Sequence, residues 1–88
     1  RFVKIWGNRC NLDAVEQIVK QITKDCAVVG IDDKITIFVT NEGLENDIKE
    51  LLVSKTGLNS KAFEVKVVDS IPVSDSGKIQ YQTLQQWI

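Results

Sequence analysis

Ala27-Val28-Val29-Gly30-Ile31-Asp32-Asp33-Lys34-Ile35-Thr36-Ile37-Phe38-Val39-Thr40 is the stretch whose reading decides the fold. Two β-branched runs, Ala27 to Ile31 and Ile35 to Thr40, are broken only by Asp32-Asp33-Lys34. Branched side chains suit a pleated surface, and an Asp-rich break of this length suits a tight reversal, so the stretch predicts an antiparallel strand pair. Its apolar residues are nearly continuous, which predicts a sheet covered on both faces. Asp32 and Asp33 read as a solvated turn whose side chains diverge, not as an acid–base pair.

The flanking segments supply the covers. On the N-terminal side, Val15, Ile18, Val19 and Ile22 recur at helical spacing, with Asp13 as the expected N-cap and Glu16 three positions later, giving a helix over about 13 to 24. Before it, Phe2 to Ile5 and Cys10 to Leu12 read as the arms of a β-hairpin whose turn lies in Trp6-Gly7-Asn8-Arg9, with Gly7-Asn8 at the tip. On the C-terminal side, Leu44, Ile48, Leu51 and Leu52 signal a second helix that Gly57 is placed to stop. Phe63, Val65 and Val67 alternate with Glu64 and Lys66, the period of a strand with one face in water. From Asp69 to Lys78 the chain is polar, with Pro72 holding Ile71 extended and Gly77 allowing a sharp turn, so an ordered loop should end at Lys78. Tyr81, Leu84 and Trp87 then suggest a short closing helix. The order predicts a small layered α+β domain: an N-terminal hairpin and a central, mostly antiparallel sheet of about three strands, flanked by two or three helices.

Composition narrows the function. In 88 residues the chain is 43% hydrophobic and 26% charged, as expected of one globular domain, residues 1–88. A net charge of −1 provides no broad cationic surface for nucleic acid or an anionic membrane, and neither is expected as a partner. No apolar run approaches the ~20 residues that span a bilayer, and the start lacks the basic-then-apolar order of a signal peptide, so a cytoplasmic location is expected. With no histidine, a zinc site would need Cys10, Cys26 and carboxylates, and the thiols read as idle or buried; no metal site is expected. There is no methionine and the sequence opens Arg1-Phe2-Val3-Lys4, which gives the expectation of a piece of a larger protein.

Two reaction classes fall away. A Walker A loop requires Gly where Pro72 stands and Ser or Thr where Ile79 stands. A His-dependent triad has no base. On local sequence alone, Lys78 is a solvated loop lysine.

Order along the chain says more. The segment from Val3 to Glu16, through Lys4, Gly7, Arg9 and Leu12, resembles the opening of the C-terminal domain of adenylate-forming enzymes, the superfamily of acyl-CoA synthetases and nonribosomal adenylation domains. Ala27-Val28-Val29-Gly30 looks like that domain's first core strand, and Ile71-Pro72 through Ser76-Gly77-Lys78-Ile79 like its closing signature. Cys10, Asn11 and Tyr81 depart from the pattern.

The resemblance implies a mobile C-terminal lid of an ATP-dependent acid ligase, whose large N-terminal domain is its partner and binds most of the ATP and Mg2+. Such enzymes join a carboxylic acid to AMP and pass the acyl group to a thiol, here coenzyme A or the phosphopantetheine of an acyl or peptidyl carrier protein. It assigns Lys78, behind Gly77, as the catalytic lysine, and the hairpin Trp6, Gly7, Asn8 and Arg9 to the thiol channel, with Lys4 and Glu16 in support. Arg9 and Glu16 read either as an ion pair or as supports of the hairpin; Gly7 as a turn residue, a point of close approach, or both. The hinge is expected just before Arg1, and the lid alone is expected to be inactive. The competing reading is a non-enzymatic α+β module that binds a partner protein through the loop and Trp87.

Overall fold

The computed structural model describes residues 1–88 and bears out the layered α+β expectation. Strands β1 (Phe2–Ile5) and β2 (Asn8–Asn11) form the hairpin, and helix α1 (Leu12–Val19) follows at once. Strands β3 (Cys26–Ile31) and β4 (Lys34–Val39) pair antiparallel, Val28 opposite Ile37. Helix α2 (Glu45–Thr56) and a 3-10 turn at Ser60–Ala62 lead into β5 (Phe63–Val67). Helix α3 (Tyr81–Gln85) closes the chain. No helix is long and apolar enough to cross a membrane.

The sheet order is β3-β4-β5, and β5 joins parallel to β4. The sheet is therefore mixed: its first pair is antiparallel as expected, and its second is not. A tight turn can only reverse the chain, whereas the long connection through α2 returns it in the same direction.

Alternate residues of a strand face opposite ways, and here they enter two cores. Val28, Ile35, Ile37 and Val39 pack with Ile5 of the hairpin, with Leu12, Val15 and Val19 of α1, and with Ile48 and Leu52 of α2. Ala27, Val29 and Phe38 pack on the other face with Leu84 of α3, joined by half-buried Ile71, Ile79 and Tyr81. Both faces are covered, as the continuous apolar run predicts.

Three local details differ from the sequence expectation. The cap of α1 is Asn11, whose side chain accepts from the backbone N–H groups of Asp13 and Ala14 at 2.9 and 3.2 Å, because the hairpin runs straight into the helix and no linker leaves Asp13 outside it. The helix ends at Val19, not near 24, since Gln21 and Ile22 donate to the carbonyls of Ile18 and Val19 in tighter three-residue bonds. The hairpin tip is Trp6-Gly7, one residue earlier than expected, because Ile5 pairs with Asn8. Both tip residues have positive φ, 49° and 85°, as a two-residue reversal matching strand twist requires. Gly57 does end α2, at φ 75°, donating to the Val53 carbonyl.

Gly30 fixes how the hairpin sits on the sheet. A Cβ there would meet the Lys34 carbonyl oxygen at 3.1 Å, Leu12 at 3.3 Å and Val3 at 3.4 Å. The absent side chain lets β1 and α1 close over β3. Gly30→Val should therefore overpack this contact and destabilise the domain by about 1–3 kcal/mol, read as a lower urea midpoint with an unchanged slope.

Candidate functional site

Lys78 ends a short hairpin in the C-terminal segment. Val73 and Ile79 form an isolated antiparallel bridge, and Ser74 donates its N–H to the Lys78 carbonyl at 2.8 Å. Gly77, at φ 84°, returns its N–H to the Ser74 carbonyl at 2.9 Å. The Ser74 hydroxyl also accepts from the Lys78 N–H at 3.2 Å and lies 3.0 Å from the Ser76 hydroxyl. The backbone of Lys78 is thus held on both sides by one serine. Gln80 donates to the Pro72 carbonyl, and Ile71 and Ile79 anchor the loop's base in the core shared with Phe38. The lysine itself is exposed, and its ammonium makes no ion pair or hydrogen bond. The arrangement presents a mobile, four-carbon cation from a fixed backbone position.

The hairpin tip is fixed from the other side. The Trp6 N–H donates to the Asp33 carboxylate at 2.6 Å and the Lys4 N–H to Asp32 at 3.2 Å, while the Asp33 N–H donates to the Lys4 carbonyl at 2.8 Å. The turn between β3 and β4 is therefore a clamp on β1 and not merely a solvated turn. Gly7 protrudes beyond it, and a Cβ built there would meet no atom within 4 Å.

Arg9 and Glu16 do not pair. The guanidinium of Arg9 lies 3.8 Å from the centre of the Phe2 ring, a cation–π contact across the hairpin. Glu16 is 5% exposed and is held by residues far away in the sequence. Its carboxylate accepts from the Val28 N–H at 3.1 Å, from Arg1 at 3.3 Å and from the Tyr81 hydroxyl at 2.9 and 3.0 Å, with the Lys20 ammonium at 3.7 Å. Arg1 donates to the Val28 carbonyl at 2.7 Å, pairs with Asp13 at 2.9 Å and stacks 3.7 Å above the Tyr81 ring. Burial and the bond to Glu16 push the Tyr81 phenol up to about 12. The Arg1 guanidinium bonded to Asp13 holds that carboxyl below its ordinary range. The Cys10 thiol is raised by burial, and the Cys26 thiol is pushed up to about 11, chiefly by burial. Both cysteines are free.

The resemblance to the adenylate-forming superfamily puts Glu16 in view, but Arg1, Tyr81, Asp32 and Asp33 carry no local signal of their contacts. Bonds spanning 15 to 65 residues leave no periodicity to read.

The two segments singled out from sequence are not brought together. Ile5, with Val3 and Cys10 beside it, packs the hairpin into the core that holds Val28 and Ile37; Ile71 and Ile79 pack the Lys78 loop into the core that holds Ala27 and Phe38. They belong to the layers on opposite faces of the sheet. No group of three or more His, Cys, Asp or Glu side chains converges anywhere in the chain.

This layered domain has the fold of a part of two larger proteins of known structure. It matches part of an acyl-CoA synthetase from Brucella canis with a TM-score of 0.82 and 20% identity, over 99% of this chain and 19% of that one. It matches the amide bond synthetase McbA from Marinactinospora thermotolerans with a TM-score of 0.76 and 20% identity, over 99% of this chain and 20% of that one. The chain thus spans about a fifth of the length of each. No protein-family model matches the sequence, and no curated protein matches it.

Two measurements test the Glu16 cluster. Glu16→Ala strands the Val28 N–H and the Tyr81 hydroxyl, and should cost about 3 kcal/mol in chemical denaturation. A phenol raised in the folded state stabilises it fully below the ordinary value of 10.0 and progressively less as pH rises through about 12. Tyr81 is the only tyrosine, so near-ultraviolet tyrosinate absorbance of the folded chain should titrate near 12, and Tyr81→Phe should remove the tyrosine share of the alkaline loss of stability, which runs from about pH 10 to about pH 12. The Cys26 thiol adds an earlier loss, between 9.0 and about 11, that this variant should keep.

Proposed function

We propose that this chain is the C-terminal lid of an ATP-dependent acid ligase that adenylates a carboxylic acid and transfers the acyl group to a thiol. The observation that carries the proposal is the placement of the lysine loop and the glycine hairpin in opposite layers of one small domain. A single flat partner surface cannot meet both layers at once. A lid that turned between two orientations would present Lys78 in one and the Trp6-Gly7 tip in the other, so that one scaffold serves two half-reactions in succession.

In the first orientation the chemistry is a meeting of anions. A carboxylate oxygen approaches the α-phosphorus, the phosphorus–oxygen bond to pyrophosphate breaks, and negative charge gathers on oxygens that repel one another. A cation brought to those oxygens lowers that barrier by stabilising the developing charge. Lys78 suits this role: both sides of its backbone are tied to Ser74, and its ammonium is not engaged elsewhere. ATP and Mg2+ would be held by the large domain, and Lys78 would contact substrate oxygens from outside.

In the second orientation the tip would line the path of a thiol, from coenzyme A or a phosphopantetheine arm. Gly7 has open space where a side chain would stand, so an arm could pass close to its backbone. The absence of a nearby wall also makes Gly7 a clean position to obstruct.

In the full-length protein, Lys78→Ala should lower acid-dependent ATP–pyrophosphate exchange by roughly 10²- to 10³-fold with substrate binding little changed. Unaltered exchange would remove Lys78 from the reaction. Gly7→Trp should block acyl transfer to the thiol and leave exchange near normal, with strain at the positive φ costing about 1–2 kcal/mol of stability. Equal loss of both half-reactions would reassign the hairpin to folding.

A further inference from the structure

Only two residues other than glycine adopt a positive φ, Trp6 at 49° and Asp33 at 70°, and they are hydrogen-bonded to each other. Left-handed backbone is disfavoured for a bulky residue such as Trp and persists where the surroundings over-determine it. Here two strained turns meet. Asp33 accepts from the Trp6 N–H at 2.6 Å, donates its own N–H to the Lys4 carbonyl at 2.8 Å, and its neighbour Asp32 accepts from the Lys4 N–H at 3.2 Å. The short Trp6 bond falls at the first tip residue, immediately before Gly7. Hairpin tips are ordinarily solvated and mobile, so this contact ties the end most free to move to a turn of the central sheet.

We propose that Asp33 is a positioning residue for acyl transfer: its carboxylate fixes the Trp6-Gly7 tip in the conformation that lines the thiol path. The inference rests on the assignment of the tip to the thiol step made above. Asp32, Asp33 and the bond to Trp6 are all exposed, so their loss subtracts little from global stability and acts on the placement of the tip. A displacement of the order of 1 Å near reacting groups costs about 10²-fold in rate, which makes a small local release measurable.

The test uses the full-length protein and two variants. Asp33→Gly keeps the backbone comfortable at positive φ and deletes the acceptor; Asp33→Asn keeps both an acceptor oxygen and tolerance of that conformation. In Asp33→Gly, kcat for acyl transfer to the thiol should fall at least tenfold while acid-dependent ATP–pyrophosphate exchange stays within twofold. Asp33→Asn should restore transfer to within about threefold of the parent. Deuterium uptake by the peptide from Phe2 to Arg9 should rise in Asp33→Gly and return towards the parent in Asp33→Asn. Unchanged uptake overturns the positioning role whatever the kinetics show, and so does unchanged transfer in Asp33→Gly when Gly7→Trp abolishes it. If Gly7→Trp leaves transfer intact, the thiol assignment of the tip fails and this inference is overturned with it.

Discussion

The carboxylate of Glu16 is the point on which the architecture closes. Strand β3 is an edge of the sheet, and an edge strand carries outward N–H and C=O groups that need partners. At Val28 these groups bond to Glu16 and to Arg1, and the Gly30 carbonyl accepts from the Gln85 side chain at 2.8 Å. The edge is thereby covered by side chains from the first residue of the chain, from α1 and from α3. A buried carboxylate is costly unless its oxygens are occupied, and here Val28, Arg1 and Tyr81 occupy them. No buried side-chain polar atom in the structure lacks a hydrogen-bond partner.

The division of the apolar residues into two cores follows from the same sheet. The near-continuous run in β3 and β4 gives every strand residue a buried destination, and the pleat sends alternate ones to opposite sides. One side accommodates the hairpin, α1 and α2. The other is covered by an irregular polar segment and a helix of only five residues, so Phe38 and Leu84 must fill it, with Trp87 set edge-on to Phe38 at 5.9 Å. The loop bearing Lys78 is supported by this thinner layer. Its internal bonds through Ser74 and Gly77 supply the order that packing alone would not.

Much of this was legible in the sequence because it is local. Periodicity placed α1, α2 and β5, the turn residues marked both hairpins, and Gly57 and Gly77 stood where a left-handed backbone is needed. The errors were local competitions decided by neighbours: Asn11 displaced Asp13 as cap because the strand flows directly into the helix, and the tip moved to Trp6-Gly7 because the register pairs Ile5 with Asn8. A positive φ at Trp is contrary to residue preference; the two-residue reversal demands it, and the bond to Asp33 in the folded chain holds it. The direction of β5 and the meeting of Arg1, Glu16 and Tyr81 are tertiary facts, without any pattern in sequence spacing. For the candidate site, motif order singled out Lys78, Gly77 and the hairpin, while the residues that hold the hairpin in place were invisible.

Arg1 has a mechanical consequence. Its guanidinium touches β3 through Val28, α1 through Glu16 and Asp13, and the closing helix through the Tyr81 ring, while its carbonyl accepts from the Leu12 N–H at 2.8 Å. A torque applied to the backbone at this residue would therefore enter both layers together. The loop and the hairpin, though in separate layers, are thus coupled through one side chain.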